Sequence, residues 1–254
     1  MKLGFAALIA LSAPLFAFAA EINYEGSSTV GKYIADASAV YQQASFKITT
    51  ASESSGGEKC PLRAACDIGG VARDVNQNFV DKGVHITLIG KDAIAAVVNE
   101  SNPVTSLSTV QLKDIFTGKV TNWSQVGGPD LAISAYIVKK GSATRKVFRK
   151  VILGDDDYAG IEVVTPDAKI VSTVARQPGA IGQISFAFLT DAKGVRPVNV
   201  DGQTASVENS NYPITRPLHL TTKGAPSGEI AAFIDWTLSP AGQTVVKQRF
   251  VAAR

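Results

Sequence analysis

After Glu21 the chain alternates short apolar runs with amphipathic stretches, the pattern of an α/β protein. Ile22-Asn23-Tyr24 reads as a short strand. From Val30 the residues Tyr33, Ile34, Ala37, Val40 and Tyr41 recur at helical spacing. Phe46-Lys47-Ile48 reads as the next strand, Ser54 to about Leu62 as a helix bounded by Gly56 and Gly57, and Asp67-Ile68-Gly69 as a strand end meeting a loop. Ile86 to Val98 is almost wholly apolar, interrupted by Gly90-Lys91-Asp92, and suits a buried strand of a parallel or mixed sheet. Ser108 is placed to cap a helix running to Phe116, with Gly118 beyond its end. Asn122-Trp123 opens a loop, and Ala132 to Val138 is another strand. Thr144, Val147, Phe148, Val151 and Ile152 line one face of a helix that stops at Gly154. Gly179-Ala180-Ile181-Gly182 precedes an apolar run to Phe188, and Tyr212 to Leu218 is a proline-marked return segment leading into the strand His219-Leu220-Thr221. Ile230, Phe233, Ile234 and Trp236 give the stretch Ser227 to Leu238 a core-facing helical face.

The first residues have a different character. Met1-Lys2 is followed by an apolar run to Phe18, and Ala17-Phe18-Ala19 fits the small-x-small rule for cleavage, so residues 1–19 read as a secretory signal peptide. The run is too short for a membrane anchor. The expected location is therefore periplasmic or secreted. Removing this segment loses only Lys2, so the net charge falls from +3 to +2, with no Lys/Arg block and no aromatic–basic interleaving. That excludes a nucleic-acid footprint. Cys60 and Cys66, in an oxidising compartment, read as a short structural disulfide. A metal or redox pair is the weaker reading, because His85 and His219 are isolated and the spacing is not C-x-x-C.

Three polar clusters stand just before helix-like stretches: Gly26-Ser27-Ser28-Thr29, Ser54-Ser55-Gly56-Gly57 and Gly141-Ser142-Ala143-Thr144-Arg145. Each alone is an ordinary helix cap. Converging, their free N–H groups and hydroxyls would cradle a tetrahedral oxyanion without a metal or cofactor. Asp67 fits such a site if the anion carries a proton: a carboxylate accepts from HPO₄²⁻ or H₂PO₄⁻ and repels ionised sulfate. Enzyme chemistry is not supported. The first cluster is not G-x-S-x-G, bases for a serine are scarce, Asp155-Asp156-Asp157 lacks calcium-loop spacing, and no Walker loop is present.

With those residues in view the chain resembles the periplasmic phosphate-binding proteins of bacterial ABC importers. The resemblance runs from about Ile22 to about Val246. It is carried by Gly26 to Val30, Ser52 to Gly57, Asp67-Ile68-Gly69, Leu112 to Lys119 with Asn122-Trp123, Gly141 to Phe148, Gly179 to Gly182 and Tyr212 to Pro217. It implies a two-lobed type II binding-protein fold, with mixed sheets flanked by helices and a ligand cleft between the lobes. Lobe 1 would comprise residues 20–94 plus 214–254 and lobe 2 residues 95–213, with crossover strands near Ala93 to Val98 and Ile214 to Leu218. The implied phosphate shell is Ser28, Thr29, Val30, Ser54, Asp67, Lys140, Ser142, Ala143 and Thr144, with Arg73, Lys139 and Arg145 as further contributors. The family's arginine ahead of the third cluster is absent, and Lys139 or Lys140 stands in its place. A lysine offers a point charge rather than a planar fork. The implied partners are phosphate and an ABC permease, the chain acting as a monomer. A sensor, scavenger or adhesin of the same fold and a phosphate-ester hydrolase are the alternatives.

Overall fold

The computed structural model describes residues 20–190 and 192–253; the signal peptide read over residues 1–19 lies outside them. β1 (Ala20–Gly26) pairs in parallel with β2 (Ala44–Thr49) on one side and with β3 (Ile68–Val71) on the other, Tyr24 opposite both Ile48 and Ile68. Between β1 and β2 runs α1 (Ser28–Ser38), whose Val30, Tyr33, Ile34 and Ala37 form the buried face the spacing predicts. The helix stops before Val40, which is therefore 57% exposed, while Tyr41 turns back into the core. The predicted helix from Ser54 is cut short: α2 (Glu53–Gly57) gives way to a 3-10 turn at Pro61–Arg63. Pro61 has no N–H to continue the helical ladder, and Cys60 and Cys66 are joined in the expected disulfide. Asp67 stands before β3, so that strand starts where a strand end was expected.

After α3 (Gln77–Val80), the apolar run becomes one continuous strand, β4 (Val84–Asn99), despite Gly90-Lys91-Asp92. Its first part pairs antiparallel with the return strand β11 (Thr215–Lys223), which also pairs with β3. From Ile94 it pairs instead with β8 (Ala180–Ser185) in a second sheet. A single strand thus leaves one sheet and enters another between Ala93 and Ile94, where the Ile94 N–H donates to the Ile214 carbonyl at 2.8 Å. The chain between builds the second body. β5 (Ser106–Leu107) leads to α4 (Thr109–Phe116), held by a capping box of Ser108 and Gln111. β6 (Ser134–Val138) lies parallel to β8 and to β7 (Ile161–Val164). α5 (Ala143–Phe148) continues as a π-helix to Leu153, and α6 (Lys169–Ala175) packs on β8. β9 (Val195–Pro197) pairs with the end of β4, and β10 (Asn199–Val200) with β5. α7 (Gly228–Leu238), α8 (Pro240–Val246) and β12 (Val251–Ala252) return to the first sheet.

Separate apolar cores follow. Ile22, Tyr24, Ile34, Leu220, Phe233 and Val246 pack in the first body, and Ile94, Leu112, Phe116, Trp123, Phe148 and Ile214 in the second. Each such fully buried large side chain contributes about 1.5–3 kcal/mol of transfer free energy. The Asn122-Trp123 loop is a capped 3-10 turn that buries Trp123 completely, its Nε1 donating to the Gly179 carbonyl at 3.0 Å.

Candidate functional site

α1 and α2 begin beside one another because glycines let the backbones touch. A Cβ at Gly57 would lie 2.1 Å from the Gly70 carbonyl oxygen, and one at Gly26, whose φ is +144°, 2.4 Å from the same atom. α1 is capped by Ser27, whose Oγ accepts from the Thr29 and Val30 N–H groups at 3.2 and 3.4 Å. α5, from the second body, is capped by Ser142, whose Oγ accepts from the Thr144 N–H at 3.2 Å.

The two helix starts meet at one guanidinium. Arg216, on the crossover strand β11, donates from Nη2 to Thr29 Oγ1 at 2.9 Å and from Nη1 to Thr144 Oγ1 at 3.1 Å. Its Nε and Nη2 bind Asp92 Oδ2 on β4 at 2.9 and 2.8 Å. Arg216 and Asp92 are 3% and 1% exposed. Burial pushes the Asp92 carboxyl up, and the Arg216 charge opposes it. The strands that link the bodies therefore carry a buried ion pair, and its fork points at one hydroxyl from each body.

Two carboxylates complete the cluster. Glu53 opens α2 in the left-handed region, at φ 53°, and its Oε2 accepts from both the N–H and the Oγ of Ser28, at 3.0 and 3.1 Å. A carboxylate there suits the partial positive charge at the start of α1. Asp167, in the loop after β7, accepts from Ser142 Oγ at 2.6 Å. Its other oxygen, Oδ1, is buried with no hydrogen-bond partner among the described residues. Burial and the Asp167 charge lift the Glu53 carboxyl to about 7, against the Ser28 hydrogen bonds and the Lys139 charge. Burial also raises Asp167, against Ser142, Arg216 and Lys139. The bodies touch over this cluster: Ser55 Oγ donates to the Gly141 carbonyl at 3.2 Å, and Lys139 Nζ to the Ala51 carbonyl.

The predicted site residues divide accordingly. Ser28, Thr29, Val30, Ser142, Ala143 and Thr144 sit at the two converging helix starts. Ser54 lies buried beside Glu53, its Oγ taking the Ala72 N–H at 3.1 Å. The Val30 and Thr144 N–H groups are not the free donors expected, because the cap serines already hold them. Asp67 is a correction. Its carboxylate accepts from the backbone and side-chain nitrogens of Asn23 at 2.7 and 2.9 Å and lines a different depression with Pro61, Ala64 and Thr222. It stands just before β3 with its carboxylate given to Asn23, and not in the hydrogen-bonded cluster at Arg216. Lys140 is exposed, whereas Lys139 reaches the cluster rim. Arg73 is engaged by Glu58, with Nη2 to Oε2 at 2.8 Å. Arg145 donates to the Val138 carbonyl at 3.3 Å and lies over the Tyr158 ring.

Arg216, Glu53 and Asp167 escaped the sequence reading. Arg216 did carry a signal, as a lone cation in the apolar stretch Ile214 to Leu218, and Glu53 did too, as an acid inside a Ser/Gly cluster. Asp167 carried none.

The sequence and the fold have counterparts among known proteins. The chain is 36% identical over 151 residues to the phosphate-binding protein PstS of Bacillus subtilis, a match covering 58% of this chain and 49% of that protein, so it spans about half the length of that relative. It is 29% identical over 258 residues to the protein SphX of Synechococcus elongatus, covering 91% of this chain and 77% of that one. Among solved structures, a putative phosphate ABC transporter substrate-binding protein from Clostridium perfringens, with bound phosphate, superposes with a TM-score of 0.85 at 30% identity over 92% of this chain and 100% of that one. An ABC-type phosphate transport receptor from Vibrio cholerae has the same fold, with a TM-score of 0.74 at 24% identity over 92% of this chain and 100% of that one. The model of the PBP superfamily domain matches residues 17–241, nearly the whole span from the first strand to the last helix, and the chain belongs to that superfamily.

Proposed function

We propose that this protein is a receptor that captures inorganic phosphate, or a tetrahedral oxyanion of the same size, between its two lobes and presents it to an ABC-type permease. The observation that carries the reading is the meeting of two helix starts, one from each body, at the buried Arg216 guanidinium. An anion seated there gains donors from both lobes at once, so it favours the closed arrangement over any open one. The lobes are residues 20–94 plus 214–254 and residues 95–213, turning about Ala93–Ile94 and the start of β11. The orphaned Asp167 Oδ1 favours an anion that carries a hydroxyl, which phosphate does and ionised sulfate does not. The relatives named as phosphate-binding proteins support the same ligand.

The receptor works outside the cytoplasm as a monomer and performs no chemistry. The Cys60–Cys66 disulfide suits an oxidising compartment, and no described helix is long and apolar enough to cross a membrane. The Ser142 hydroxyl donates to the Asp167 carboxylate, a weak base for a hydroxyl. Thermal melts with phosphate, arsenate, sulfate and molybdate test the reading, since a ligand that binds the native state raises its melting temperature. Phosphate and arsenate are expected to raise it by several degrees and sulfate to leave it unmoved. A panel in which no oxyanion shifts the melt refutes the reading.

A further inference from the structure

We propose that anion capture by this protein takes up a proton from solvent, which is held by Glu53 and Asp167, the buried carboxylates that the two lobes bring within electrostatic reach of one another. The inference rests on the oxyanion-receptor reading above and adds a coupling to it.

Arg216 is already matched by Asp92. Lys139 is the other cation acting on both carboxylates. Closing an oxyanion into the cluster with Glu53 and Asp167 both ionised would gather at least three negative charges around that one lysine. The groups are 3% and 1% exposed, so water cannot screen them. Two carboxylates sharing such a site with an anion cannot all stay ionised near neutrality.

The cluster has places for such a proton. Glu53 is fixed by two hydrogen bonds from Ser28 through Oε2, in a backbone conformation that L side chains rarely adopt. Asp167 spends one oxygen on Ser142 and has the other free of any partner among the described residues. A proton on either carboxyl, or on the anion and shared with Asp167 Oδ1, turns a repulsion into a hydrogen bond. The groups facing the pair are Ser28 from α1, Lys139 from the turn before α5, Arg216 from β11 and the Tyr24 hydroxyl from β1, which burial and the Glu53 charge hold well above its ordinary range. Burial has already brought Glu53 to about 7 and raised Asp167 above its ordinary range before any anion enters. An incoming negative charge raises it further, so binding draws a proton in, and affinity falls as the pH rises.

Calorimetry of phosphate binding to the full mature protein, between pH 6 and 8.5 and in buffers of low and high ionisation enthalpy, reads the proton directly. Wild type is expected to take up more protons per phosphate at pH 8 than Glu53→Gln or Asp167→Asn. Phosphate's own titration cancels in the ratio of wild-type to variant Kd, and that ratio should rise by up to about tenfold per pH unit above 7. Either variant suffices if the other fails to fold. Equal proton uptake in wild type and both variants, with a pH-independent Kd ratio, overturns the coupling while leaving the receptor reading intact. Wild type that binds no phosphate at any pH tested overturns both.

Discussion

Arg216 is the residue on which stability and binding can be pulled apart. Replacing it with Met keeps most of the volume of the side chain but leaves Asp92 buried without its countercharge, and leaves Thr29 and Thr144 without the donor that joins them. Asp92 has no exposed side-chain surface, so water cannot step in. Breaking one side of a buried pair costs about 3–5 kcal/mol. In a domain of this size each kcal/mol lowers the melting temperature by roughly 2–4 °C, so Arg216→Met should melt about 10 °C below wild type in phosphate-free buffer. Adding Asp92→Leu removes the stranded charge and should recover most of that loss, because well-packed apolar replacements of buried pairs are close to neutral. The double variant should still fail to bind phosphate by calorimetry, since the guanidinium is gone. Arg216→Lys should fall between, holding the charge but not both hydroxyls. A melt of Arg216→Met within about 2 °C of wild type, or a double variant no more stable than the single one, refutes this role for the pair.

The remaining predictions probe the parts around that pair. Asp67→Asn should change phosphate affinity and discrimination against sulfate by less than about twofold in competition binding, because its carboxylate serves Asn23, while costing about 1 kcal/mol of stability. Gly57→Ala should lower the urea-unfolding free energy by more than about 2 kcal/mol, since its Cβ would stand 2.1 Å from a backbone oxygen that has nowhere to move. The anion-free protein should lose stability as pH rises. Glu53 titrates near 4.5 when unfolded and about 7 when folded, so across that window the folded state binds more protons than the unfolded one. At about 1.4 kcal/mol per pH unit the loss approaches 3 kcal/mol by neutrality, and Glu53→Gln should flatten it in denaturant titrations at pH 4, 5.5 and 7.

Local features of the fold were legible where one stretch of chain decides the outcome. The α1 face, the Ser108 cap and the local disulfide all follow from spacing and residue type within a dozen positions. Boundaries failed where a neighbour intervened. Val40 keeps the helical period, yet α1 ends two residues before it. Gly90-Lys91-Asp92 looked like an interruption, yet β4 runs through it, because β11 supplies ladder partners on that stretch and a register shift absorbs the misfit. α6 and α8 went unseen, as short helices whose amphipathic pattern is weak until a sheet lies beneath them.

The site divides in the same way. Helix caps are written locally, in a serine followed by free backbone N–H groups, and so the sequence by itself determined the two hydroxyl-bearing helix starts and the compact α/β frame that carries them. Which charges face those starts is a matter of contacts 25 to 187 residues apart in the chain: Ser28 with Glu53, Ser142 with Asp167, Thr29 with Arg216. No periodicity encodes such separations. Only the tertiary structure decided that Asp67 turns toward Asn23 while Glu53 and Asp167 turn inward, because a side chain's role as proton acceptor depends on which groups burial leaves it to meet.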